Sequence, residues 1–225
     1  MKMKLLFLPG VNCTNEIWNM FNGYVRDWNI DYAVYPHDVT SAASKPEDLT
    51  EWVYKTYGNE DYDAVIGHSL GGIIALQLAA SGKMNFRKII YLDTNLKPAN
   101  EFYRNLMTQE HMQKYGEQVC NMLTEERKFY SQAFLDKLKE DFDYTPLVKM
   151  LNQKVYAIYG DRNQPEYNGK ISDLNLSDEI ISRLDIRFIK NACHMIMLEN
   201  PLDLYEMLTD ILNIKTVEAI PQNSK

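Results

Sequence analysis

The chain has 225 residues, 45% of them hydrophobic, with three cysteines and a formal net charge of -7. That length and apolar content suit one α/β domain with a large core, and an acidic balance without a Lys/Arg-rich run excludes nucleic acid or an anionic membrane surface as the main partner. Cys13, Cys120 and Cys193 are too few and too scattered for a disulfide framework, and no stretch has the length of a membrane span. The expectation is a cytoplasmic protein with reduced thiols and no membrane insertion.

The chain opens on a short β-rich run, Lys4 to Leu8, closed by Pro9. An apolar run this short, with Asn12 as the neighbour of Cys13, argues for a buried first strand over a signal peptide or lipid attachment. Helical spacing follows at Glu16 to Val25, then a strand at Ile30 to Tyr35 and a helix at Pro46 to Tyr57 whose proline suits the first turn. Asp63 to Ile66 reads as a strand, Leu70 to Ala80 as an apolar helix and Lys88 to Leu92 as the next strand.

From about Lys97 to Met150 the alternation stops. Aromatic, methionine and charged residues recur there at helical spacing, Phe102, Leu106, Met112, Tyr115, Phe129 and Phe134 among them. This predicts an inserted helical lid. Strands resume at Val155 to Tyr159 and Ile186 to Ile189, with helices at Ser177 to Leu184 and at Pro201 to Ile214, and the tail after Lys215 reads as loose. Alternating β and α units predict six parallel strands with helices on both faces.

Gly67-His68-Ser69-Leu70-Gly71 places a serine where an apolar strand gives way to an apolar helix. Such a turn is sharp and strained, and it projects the hydroxyl above the sheet edge. A serine hydroxyl is a weak nucleophile at neutral pH and needs a base within reach, itself oriented by a third group. The chain has four histidines. His194 lies in the loop between the last strand and the last helix, on the side of the sheet where Ser69 stands. His68 reads as structural, His111 as a lid residue that is solvated or else touches substrate, and His37 as a turn residue. Backbone donors for a developing oxyanion are expected from the N–H groups of Val11, in the turn Leu8-Pro9-Gly10-Val11-Asn12, and of Leu70.

Four segments together carry a resemblance to a known family. They are Leu8-Pro9-Gly10 with Trp18 downstream, Gly67 to Gly72, the strand end Tyr156 to Asp161, and Cys193-His194-Met195-Ile196-Met197-Leu198-Glu199-Asn200-Pro201. In their order along nearly the whole chain, the protein resembles a small α/β-hydrolase, most similar to single-domain carboxylesterases, including methyl-ester hydrolases of the biotin-pathway type. No counterpart of the family's usual first two strands is expected before Lys4 to Leu8, so the resemblance implies a minimal six-stranded sheet. The resemblance implies a Ser69 nucleophile, a His194 base and an acid three residues after the glycine that ends the fifth strand. That position is Asn163, in Gly160-Asp161-Arg162-Asn163. Asp161 in the same loop ranks first as the substitute acid, Asp93 at the end of the fourth strand ranks second, and Asn163 third.

The function expected is a serine hydrolase acting on a carboxylic ester or thioester with a small to medium apolar acyl group, through an acyl-enzyme. A lyase or carbon–carbon hydrolase on the same scaffold, and a ligand-binding homologue of low turnover, are the alternatives. No cofactor is expected: the chain has neither the paired His/Cys spacing of a zinc site nor the lysine and spacing of a phosphate-binding loop.

Overall fold

The structure is a computed structural model that describes residues 3–214. Six strands form one parallel sheet: β1 (Lys4–Leu8), β2 (Asn29–Tyr32), β3 (Ala64–His68), β4 (Lys88–Leu92), β5 (Val155–Gly160) and β6 (Leu184–Ile189), in the order β2-β1-β3-β4-β5-β6. The strands begin and end within two or three residues of the ranges expected. The fold is the expected α/β-hydrolase fold in its six-stranded form.

Side-chain alternation along the strands sorts the core into two layers. Leu6, Leu8, Val65, Ile89, Tyr91 and Tyr159 face one side, where α3 (Pro46–Tyr57) and α4 (Leu70–Ala80) cover them. Leu5, Phe7, Ile66, Ile90, Leu92 and Ile158 face the other, under α1 (Asn19–Asn22) and the C-terminal helices. Because both faces are covered, β1, β3 and β4 are apolar almost throughout, as buried parallel strands are.

Two expectations are corrected near the N-terminus. The helix expected at Glu16 to Val25 is a 3₁₀ turn (Asn15–Trp18) running into the single turn of α1, with Trp18 and Phe21 driven into the core against Phe7. His37 is not a turn residue: it is the first residue of α2 (His37–Ala42), entered through the extended Pro36, and it stacks on Phe129.

Between β4 and β5 lie a 3₁₀ turn (Glu101–Tyr103), α5 (Gln109–Arg127), α6 (Gln132–Lys137) and α7 (Thr145–Met150). These helices are the segment expected to break the alternation. Backbone bonds from Ser131 N–H to the Thr40 carbonyl and from Tyr144 N–H to the Leu96 carbonyl dock it on the body. After β5 come α8 (Asp178–Arg183) before β6, then α9 (Ile196–Glu199) and α10 (Pro201–Leu212), the last started by Pro201 and capped by the Asn200 side chain on Asp203 N–H. The tail after Lys215 lies outside the described residues. Among the described residues, no helix is long and apolar enough to cross a membrane.

The β3–α4 crossing is tight enough to require glycine at two positions. A Cβ on Gly67 would run into the Gly71 carbonyl, and one on Gly71 into the backbone of Leu8 on the neighbouring strand. Neither obstacle is a flexible side chain. Gly71→Ala is therefore expected to destabilise the fold by about 2–4 kcal/mol, read as a lowered urea midpoint at unchanged slope.

Candidate active site

The carboxyl ends of β3, β4, β5 and β6 each deliver one of the residues singled out from the sequence, which is where ligands sit in open parallel sheets. Ser69 follows β3, Asp93 follows β4, Asp161 follows β5 and His194 stands in the loop after β6. Asn12, Ser69, Asp93, Arg162, Asn163 and Asn191, all at this edge, have positive φ without being glycine. Such backbone costs about 1–3 kcal/mol per residue and persists only where surrounding contacts hold it.

Ser69 has φ 52° and ψ -119°. Its N–H donates to the Leu92 carbonyl at 3.0 Å, and its carbonyl accepts from Gly72 N–H at 2.9 Å and from the Thr94 hydroxyl at 2.8 Å. The backbone of the elbow is thus clamped on both sides, and the side chain is left to face a groove. That groove, about 230 Å³ and open to solvent, is lined by Ser69, His194, Val11 and Leu70 from the body and by Leu138, Phe142 and Tyr144 from the inserted segment. Leu70 opens α4, so its N–H has no carbonyl four residues back. Among the described residues, no backbone carbonyl accepts from Val11 N–H.

The imidazole of His194 settles on Asp93. Its Nδ1 lies 2.8 Å from Asp93 Oδ2, and the Asp93 carboxylate is 1% exposed. A second partner grips the same carboxylate. Arg162 donates from NH1 to Oδ1 and from NH2 to Oδ2, both at 2.7 Å, and its guanidinium is wholly buried. Burial alone would push the Asp93 carboxyl up; the Arg162 charge, followed by His194, outweighs it and leaves Asp93 at about 2.

Of the two carboxylates ranked from the sequence, Asp93 and not Asp161 is the one that meets the His194 imidazole. Asp161 is buried, but its Oδ1 accepts the N–H groups of Asn163 and Asn191, both at 2.8 Å, so it pins the loop after β5 to the loop that carries His194. The backbone N–H of Asn163 is spent on that bond. A sharp turn after Gly160 sends Arg162, with φ 56°, inward.

Two further residues brace the His194 loop. His68, expected to be structural, is buried and holds the His194 carbonyl with Nε2 at 3.0 Å. The carbonyl can only accept, so Nε2 carries the proton. Burial, then the neighbouring His194, pushes the His68 imidazole down to about 3. Because its folded value lies below the ordinary 6.5, the unfolded chain binds the extra proton between those values, and the neutral ring's contribution is lost as pH falls through that window. His68→Gln is expected to flatten the pH dependence of stability between pH 6 and 4 by up to about 1.4 kcal/mol per unit, measured by urea titration at each pH.

Glu199, not singled out from the sequence, is the second brace. Its carboxylate is wholly buried and accepts Thr108 N–H and Cys193 N–H, both at 2.7 Å, with His111 Nδ1 at 3.3 Å. Burial pushes the carboxyl up, with the two backbone N–H bonds and His111 opposing. His111 is therefore not a solvated lid residue. It sits in the first turn of α5, capped by Thr108, and joins the inserted segment to the His194 loop. Among the described residues, no group of three or more His, Cys, Asp or Glu is placed to hold a metal ion.

No protein-family model and no curated protein matches the sequence. Solved structures do match in fold. Est816, an N-acyl homoserine lactone degrading enzyme, superposes with a TM-score of 0.69 at 13% identity, over 93% of each chain. A thermophilic esterase from Thermogutta terrifontis gives 0.66 at 14% identity, over 95% of this chain and 90% of that one. The thioesterase domain from the curacin biosynthetic pathway gives 0.62 at 9% identity, over 92% and 90%. All are similar in architecture to this chain, which has the α/β-hydrolase fold.

Proposed function

We propose that the protein is a serine hydrolase that cleaves a carboxylic ester or thioester through an acyl-enzyme. The observation that carries this reading is the His194–Asp93 pair at 2.8 Å, facing the same groove as a serine on a positive-φ strand-to-helix turn. In this mechanism Ser69 Oγ attacks the carbonyl carbon while His194 Nε2, the nitrogen left free by Asp93, takes the hydroxyl proton. Asp93 stabilises the imidazolium, and the N–H groups of Val11 and Leu70 receive the oxyanion. Collapse of the tetrahedral adduct expels the alcohol or thiol with the proton from His194. Water then attacks the acyl-serine by the same route, releasing the acid and regenerating Ser69.

The acyl group is small to medium and apolar. Ile73, Leu138, Phe142 and Tyr144 supply apolar walls beside Ser69. The esterase and thioesterase neighbours support an ester or thioester as the bond cleaved. The test is hydrolysis of 4-nitrophenyl esters from acetate to decanoate, with His194→Gln as the control. Short and medium chains are expected to turn over, and His194→Gln to lose about 10³–10⁴-fold in kcat with KM little changed. Preference for a succinyl or other charged acyl ester overturns the apolar assignment; turnover that survives in the variant overturns the base.

A further inference from the structure

Arg162 is a charged side chain with no exposed surface, an arrangement proteins rarely keep without a partner. Each of its nitrogens is committed. NH1 and NH2 fork onto Asp93, NH1 also donates to the Gly160 carbonyl at 2.6 Å, and Nε donates to the Phe102 carbonyl at 3.1 Å. The Tyr103 ring lies under the guanidinium carbon at 4.5 Å. The planar fork fixes both carboxylate oxygens in one orientation, and the oxygen bonded to NH2 is the one that meets His194. A bidentate clamp of this kind does more than neutralise a buried charge: it selects the rotamer that presents Oδ2 to the imidazole.

We propose that Arg162 is the positioning residue of the His194–Asp93 dyad, holding the acid ionised and aimed while touching neither substrate nor Ser69. The inference rests on the serine-hydrolase reading above. It explains how an aspartate at the end of β4 serves in place of one after β5: the loop after β5 contributes the counter-charge instead of the acid.

The sign of the pH effect follows from the dyad treated as one unit. The active form carries no proton on either Asp93 or His194. The form below it carries one, on whichever group, and is disfavoured by a fixed positive charge beside the carboxylate. Removing that charge makes the last proton bind more tightly, so the acid limb of the rate profile moves to higher pH.

The surrounding groups do not blur this reading. His68 faces the dyad from the end of β3 and is held neutral, pushed down to about 3. Tyr91 on β4, Tyr159 on β5 and Tyr103 in the inserted segment are each pushed up by burial. The thiol of Cys193, the residue before His194, is pushed up to about 12, by burial first and then by Glu199, with Asp161 adding a smaller push in the same direction.

The experiment measures the rate of Ser69 modification by a fluorophosphonate from pH 5 to 9 in wild type, Arg162→Gln and Arg162→Lys, with far-UV circular dichroism on each. Arg162→Gln keeps a donor to Asp93 but loses the charge, and is expected to react about 100-fold more slowly at neutral pH with its acid limb raised by about one unit. Arg162→Lys keeps the charge but loses the fork, and is expected to react about tenfold more slowly with the limb in place. A folded Arg162→Gln whose limb coincides with wild type overturns the inference whatever its rate. If Arg162→Gln does not fold, Arg162→Lys decides: a slowed reaction with an unmoved limb supports the inference, and wild-type reactivity or a raised limb overturns it. Folded wild type that does not react at all removes the serine-hydrolase reading and this inference with it; a reactive wild type with unmoved variants removes this inference alone.

Discussion

Asp93→Asn is expected to lower turnover by about 10⁴-fold and stability by about 3–5 kcal/mol, the largest combined effect of any single substitution in the site. The two losses have different origins. The amide deprives the imidazolium of its negative partner, since Asp93 Oδ2 meets His194 Nδ1 at 2.8 Å. It also leaves a fully buried guanidinium facing an amide, and an uncompensated buried charge costs far more than the intact pair contributes. The stability supplied by the ionised carboxylate is present above the ordinary aspartate range and is lost only as pH falls through about 2. Asp161→Asn is the matched control. It keeps an oxygen for the Asn163 and Asn191 N–H groups, so its cost is expected to stay within about tenfold in turnover and about 1–2 kcal/mol in stability. Steady-state kinetics and urea unfolding on the two variants separate the roles, and equal losses from both would contradict the assignment of the acid.

Glu199→Leu is expected to cost about 3–4 kcal/mol and to lower activity without touching the groove. The substitution leaves the N–H groups of Thr108 and Cys193 buried and unpaired, at about 1–3 kcal/mol each, partly offset by leucine packing in α9. Cys193 adjoins His194, and Leu106, whose carbonyl accepts both His194 N–H and Met195 N–H, adjoins the segment that Glu199 anchors. Loosening this joint frees His194 from its position, so on the proposed mechanism kcat should fall more than KM rises. Hydrogen exchange is expected to show the loss of protection spreading through residues 106–111 and 193–199. An unaltered exchange pattern with full activity would show that the joint is not needed to hold His194.

The elements with strong periodicity are legible in the sequence. Pro46–Tyr57 and Leu70–Ala80 fall where their spacing and boundary residues put them, and the parallel sheet follows from the βα alternation. Gly67 and Gly71 mark a chain crossing too close for a side chain, and that made Ser69 visible. What escaped was the pairing of charges. Arg162 stands between Asp161 and Asn163 in what reads as a polar loop, and nothing local says that its backbone turns to φ 56° and sends the side chain inward. Spacing favoured Asp161 because it measures distance along the chain, whereas the partner of His194 is chosen across β4 and β5, where Asp93 sits one strand nearer the serine. Glu199 left a trace, a lone acid in the apolar run Met195-Ile196-Met197-Leu198, but its partners at Thr108 and His111 lie some ninety residues away. The short helix α1 was overextended because the apolar residues Ile17, Trp18 and Phe21 sit at helical spacing, while the turn that packs them is partly 3₁₀.

Ser69 as an activated nucleophile is the claim on which the rest depends, and intact-mass analysis after exposure to a fluorophosphonate, followed by peptide mapping, tests it without knowledge of the substrate. A single adduct is expected on wild type, located on the peptide that contains Ser69, and none on Ser69→Ala or His194→Ala. Folded wild type that stays unmodified, or an adduct that persists in Ser69→Ala, would contradict it.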